Sequence, residues 1–189
     1  MKRMLSSRSR AFILLVTIVL AVSVLLSSCG DPVAGYGVVL WAGEEETFET
    51  GSLMTILAVS DLRAVYAAES TDGTRDEIDQ WRVRFFEQRD EAEAFAESYA
   101  DNVDLFARTE FNALPIRSTK DHLSSNNRVY RLREGEIVKV IESDEEPTDL
   151  SGLVARWHYV LTEVGIRGWV FGYHLTIYNE TEGLQEEST

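Results

Sequence analysis

The chain has 189 residues, with 18 Lys and Arg against 32 Asp and Glu and a formal charge of −14. That balance excludes a surface built to hold nucleic acid, which presents basic patches, and a single cysteine excludes an internal disulfide. The three histidines, His122, His158 and His174, have no metal-ligand spacing.

Taken in order, Met1–Arg10 carries Lys2, Arg3, Arg8 and Arg10 without an acid, and the apolar run Ala11–Leu26 follows. A basic stretch, an apolar stretch and then small residues is the order of a secretory signal helix. As a helix the run reaches roughly 24 Å at about 1.5 Å per residue, short of the roughly 30 Å hydrocarbon core. Leu26-Ser27-Ser28-Cys29 at its end resembles the lipobox of bacterial lipoproteins. The resemblance implies a signal peptide over residues 1–28 and diacylglyceryl (palmitate-type) modification of Cys29. Loss of that leader removes four basic residues and no acid, so the charge falls to −18.

Residues 29–36 (CGDPVAGY) read as a tether. "GSLMTILAVS" (51–60) is apolar on both faces, as a strand covered on both sides would be; "RAVYAAE" (63–69) reads as a further strand. "WRVRFFE" (81–87) alternates Trp81, Val83 and Phe85 against Arg82 and Arg84, the period of a half-buried strand. In "RDEAEAFAESYADNV" (89–103), Ala92, Phe95, Ala96, Tyr99 and Val103 recur at helical steps, and Asp90 with Glu93 has capping-box spacing. An amphipathic helix laying Phe95 and Tyr99 over a sheet is expected. "DLFARTE" (104–110) is expected to close a first module.

Five short strands follow, in "NALPIRS", "RVYRL", "EIVKVIES", "RWHYVLTE" and "RGWVFGYHL", the pattern of a small closed barrel. "LPIRS", "RVYRLREGEIVKVIE" and "WHYVLTEVGIRGWVFGYHL" together resemble the bacterial SH3-like module. With that register, "GSLMTILAVSD" aligns with "GEIVKVIESDE", "VVLW" with "LPIR", and "WRVRFFE" with "WHYVLTE". The expectation is a mainly β chain of tandem small SH3-like barrels: 37–110 with the helix inserted, 111–178 without it, and a polar tail over 179–189.

A binding module, not an enzyme, is therefore expected, with no cofactor and no metal. Its partners would be a membrane through acyl chains and either peptidoglycan or an envelope protein, outside the cytoplasm of a bacterium. A structural or assembly subunit of an envelope complex is the alternative. Tyr130, Trp157 and Trp169 are expected to border a shallow groove at the barrel rim, with Tyr173 near it. The competing reading makes the same aromatics barrel core.

Overall fold

A computed structural model of the chain describes residues 33–43 and 47–180; the signal segment and Cys29 lie outside the described residues. The residues from Val33 onward form one compact unit. The first sheet is built from β1 (Gly35–Val39), β2 (Leu53–Ser60), β3 (Val65–Ser70), β4 (Arg75–Asp79) and β5 (Val83–Phe86), in the order β4-β3-β2-β1-β5. Helix α1 (Arg89–Tyr99) leads into a second sheet containing β6 (Leu105–Thr109), β7 (Leu114–Arg117), β8 (Arg128–Leu132) and β9 (Ile137–Ser143). After a small hairpin of β10 (Thr148–Leu150) and β11 (Leu153–Ala155), that sheet is completed by β12 (Trp157–Thr162), β13 (Arg167–Phe171) and β14 (Leu175–Asn179). Its order is β14-β6-β9-β12-β13-β7-β8.

The chain is mainly β, as its sequence predicts, and each sheet encloses its own apolar interior. Val39, Met54, Ile56, Ala68, Ile78 and Val83 fill the first. Ala107, Leu114, Ile116, Leu132, Val138, Val140, Val160 and Val170 fill the second. A third cluster belongs to both halves: Val38 and Leu40 from the first, Ile141 and Leu161 from the second, with Ala92 and Tyr99 of α1 between them. This explains the apolar pairs in the strands. In β1, Val39 enters the first barrel and Val38 the shared core. In β2, Met54 and Ile56 face inward while Leu53 packs on the shared core.

One strand lies elsewhere than its sequence position suggests. "DLFARTE" does not close the first module: β6 pairs with β9 and β14 in the second sheet. In the order β14-β6-β9-β12-β13 it takes the place that β1 holds in β5-β1-β2-β3-β4. Hydrogen bonds repeat at equivalent places. Gly51 N–H donates to Val39 O at 2.7 Å and Gly135 N–H to Thr109 O at 2.8 Å; Val39 N–H donates to Ser52 O and Thr109 N–H to Glu136 O, both at 3.1 Å. Leu40 N–H reaches Arg82 O at 2.7 Å, and Glu110 N–H reaches His174 O at 3.0 Å. Gly51 and Gly135 have φ of 84° and 79°, a left-handed conformation natural to glycine.

The alignment of "GSLMTILAVSD" with "GEIVKVIESDE" thus matches the geometry. The other two pairings are corrected: "VVLW" corresponds to "RTEF" (108–111), at the end of β6 and just beyond it, and "WRVRFFE" to the single-turn helix Gly172–His174 with β14. The β7–β8 hairpin is an elaboration of the second barrel alone.

Smaller corrections follow from pairing. Tyr36, assigned to the tether, pairs with Thr55 and Phe86. Asn179, assigned to the tail, pairs with Leu105, and Glu180 N–H donates to Asp104 O at 2.9 Å. The helix is capped by Gln88 without a side-chain hydrogen bond. In place of the expected Asp90–Glu93 box, Arg89 Nε pairs with Glu93 at 2.7 Å one turn on.

Candidate functional site

On the second sheet, cross-strand partners share a face. Tyr178 of β14 lies opposite Phe106 of β6, and Phe106 opposite Lys139 of β9, which in turn lies opposite Leu161 of β12. This face turns away from the second barrel's interior. Leu161 joins the shared core, and Lys139 is wholly buried.

The Lys139 ammonium is held by three main-chain carbonyls of the segment joining the barrels: Asn102 O and Val103 O at 2.7 Å and Leu105 O at 3.0 Å. It also sits 4.3 Å from the centre of the Phe106 ring. Burial pushes its pKa down to about 7, against the pull of the Asp104 and Glu180 carboxylates. Asn102 Nδ2 donates to Ile141 O at 3.1 Å. Arg167 Nη2 donates to the carbonyls of Trp81 and Val83, the latter at 3.1 Å. Tyr99 O–H donates to Leu40 O at 2.6 Å. These polar clamps, added to the shared core, fasten the two barrels together.

Beside the clamps the barrels leave a cleft of about 680 Å³, lined by Trp41, Trp81, Arg82, Asp104, Phe106, Glu163, Tyr178 and Glu180 among others. That volume falls in the ligand-sized range of roughly 300 to 1,000 Å³. Trp41 follows β1 and meets Phe106 edge-on at 5.6 Å, and Phe106 stacks on Tyr178 at 6.1 Å. Arg82 is already engaged: its guanidinium lies 4.3 Å from the Trp81 ring centre, Nη1 donates to Trp41 O at 3.0 Å, and Nε is 3.7 Å from Asp79. Among the described residues, Asp104, Glu163 and Glu180 take part in none of the ion pairs. Half-buried rings beside unpaired carboxylates can hold a ligand by stacking and by opposite charge.

The residues expected from sequence to border a groove do not meet in one place. Trp157 is 2% exposed and meets Phe171 at a tilt, ring centres 5.3 Å apart, so it has no free face for a ligand. Tyr130 pairs with Ile116 and packs on the second barrel's interior cluster. Trp169 pairs with Arg117 and Tyr159 on the opposite face, its ring edge-on to Tyr159 and covered by Lys120 Nζ at 3.8 Å. Tyr173 is 47% exposed, with an edge-on contact to His174 as its ring neighbour. The competing reading holds for Tyr130 in part, since it packs on the interior cluster and also lines a surface cavity of about 530 Å³; Trp157 is buried on the outward face of the sheet, outside that interior cluster.

His158 is another residue whose surroundings decide its role. Its Nδ1 lies 2.7 Å from Ser143 Oγ across the β9–β12 pair. Burial lowers its pKa, as does Arg156, and among the described residues no carboxylate hydrogen-bonds the ring. The pair joins β9 to β12.

Sequence reasoning missed Trp41, Trp81, Phe106 and Tyr178 as neighbours because they come from four separate places in the chain. The one available signal was the repeat, which in its correct register puts Trp41 just beyond the end of β1 and brings β6 to the barrel junction.

Two comparisons bear on the fold. A family model described as the N-terminal SH3 domain of the TP0260 family matches residues 34–101. An uncharacterized protein of Treponema pallidum (strain Nichols) is 30% identical over 161 residues, covering 84% of this chain and 35% of that protein. The chain thus spans about a third of that relative's length. The matched segment stops before β6, the strand that opens the second sheet. Residues 34–101 are accordingly an SH3 domain of the bacterial SH3-like kind.

Proposed function

We propose that the chain is a lipid-anchored interaction module of a bacterial cell envelope, which holds cell-wall material or an envelope protein without chemical turnover. The cleft between the barrels carries this reading, because it is ligand-sized and lined with aromatic rings and unpaired carboxylates. The SH3 domain over residues 34–101 supports an interaction role. The anchor rests on the basic and apolar leader ending in Leu26-Ser27-Ser28-Cys29. Acyl chains contribute about 0.8 kcal/mol per buried methylene, and the local concentration they create raises the occupancy of a weak site.

Mass spectrometry of the protein extracted from membranes tests the anchor: the expected N-terminus is an acylated Cys29, and an unmodified Cys29 within an uncleaved chain refutes it. Sedimentation of the chain from residue 30 onward with purified peptidoglycan sacculi, and separately with washed envelope membranes, tests the binding. Association with either fraction is expected. Association with neither removes the proposal.

A further inference from the structure

The inter-barrel cleft has a charge as well as a shape. Resting on the interaction reading above, we infer that its occupant is a lysine-bearing segment of a basic partner protein, with an ammonium group seated between the Asp104, Glu163 and Glu180 carboxylates and the Trp41 ring. Every charged group among the described residues at the site bears on this. Of the cations, Arg82 is committed to Trp81, the Trp41 carbonyl and the Asp79 side. Lys139 lies behind Phe106, fully buried and bonded to three carbonyls. Arg108 lies over the Tyr178 ring, 5.9 Å from its centre, and Phe106 stacks against the same ring, so Tyr178 is already engaged.

The carboxylates are not spent in the same way. Glu163 and Glu180 are exposed and Asp104 is half-buried, and none is ion-paired among the described residues. All three line the cleft. The Arg82 guanidinium over Trp81 shows the type of contact the cleft rings can make. A cation over a tryptophan or tyrosine face, flanked by carboxylates, combines cation–π attraction with charge pairing. A polyanionic partner, whether nucleic acid or an anionic lipid surface, meets repulsion from a chain of charge −14.

The test titrates the chain from residue 30 onward with a pentalysine peptide, followed by tryptophan fluorescence at low and at physiological salt. The same peptide fully acetylated on its Nε atoms serves as the uncharged control. Binding of pentalysine, its weakening by salt and little binding of the acetylated peptide are expected. Glu163→Gln, at an exposed position, should weaken binding about two- to five-fold, and Trp41→Phe should weaken it by a similar factor. Glu91→Gln and Glu97→Gln, on the outer face of α1, should leave it unchanged.

Equal loss in the α1 variants would show diffuse attraction to an acidic protein and overturn the site. Equal binding of the acetylated peptide would show an apolar occupant and overturn the ligand class. Self-association that Trp41→Ala abolishes would make the occupant a second copy and overturn the proposal likewise. If envelope material still binds the Glu163→Gln and Trp41→Phe variants at full strength, the interaction reading stands and this inference falls.

Discussion

Lys139 fastens the second barrel to the segment that leaves the first, and Lys139→Met removes that fastening while keeping most of the side-chain volume. Three carbonyls lose a donor, those of Asn102, Val103 and Leu105. Above its folded pKa the side chain is an amine with two N–H groups to donate, so two hydrogen bonds are lost. At about 1 to 1.5 kcal/mol for each buried hydrogen bond lost, the expected destabilisation is about 2 to 3 kcal/mol near the unfolded pKa of 10.5, and it shrinks by about 1.36 kcal/mol for each pH unit below that. Urea unfolding of the chain from residue 30 onward, followed by tryptophan fluorescence, measures it.

The pH dependence has a fixed sign. In the folded chain burial lowers the Lys139 pKa from 10.5 to about 7. Between those values the unfolded chain binds the proton and the folded chain does not. This contribution to stability is therefore complete above the unfolded pKa and is lost as pH falls through the folded one. The gap between wild type and Lys139→Met should accordingly widen as pH rises from 7 towards 10. A variant within about 0.5 kcal/mol of wild type, the spread of ordinary surface substitutions, with no pH-dependent difference, would refute the clamp.

Two further outcomes are expected. A fragment of residues 111–178 lacks β6, which pairs with both β9 and β14, so it should show no cooperative thermal transition where residues 30–189 show one; a cooperative fragment would mean that β6 and the shared core are dispensable. Trp157→Ala should cost about 3 to 5 kcal/mol as a core truncation, whereas Tyr173→Ala, at a side chain 47% exposed, should stay within about 0.5 kcal/mol; equal effects in urea unfolding would contradict their assignments to core and surface.

Strand positions were largely legible because most carry a run of apolar and β-branched residues between turn signals. The glycine that opens β2 was legible together with its twin before β9, since both turns need the same left-handed residue. Pairing was less legible. "LFART" reads as a strand, but nothing local says that it joins β9 and β14 rather than β1. "RDEID" was passed over because only Ile78 of β4 is buried, its other positions being charged.

The site was misread for a related reason. Period-two alternation identifies a core face only when the other face meets solvent. Here the outward face of the second sheet is covered in part by α1 and the first barrel, so Leu161 is buried on that face while Val160 is buried on the other. Trp157 is likewise buried, its ring tilted against Phe171. An aromatic-rich strand thus looked like a binding rim, and the cleft rings, scattered along the chain, did not look like a group.

Placing a photoreactive benzoylphenylalanine at position 41 or at position 173 of the full-length protein in living cells tests the central claim most directly. Position 41 lines the cleft; position 173 is exposed on the second module away from it. A protein that binds envelope partners through the cleft should give a discrete cross-linked adduct from position 41 and none from position 173. An adduct from position 173 alone, or from neither position, would contradict the account.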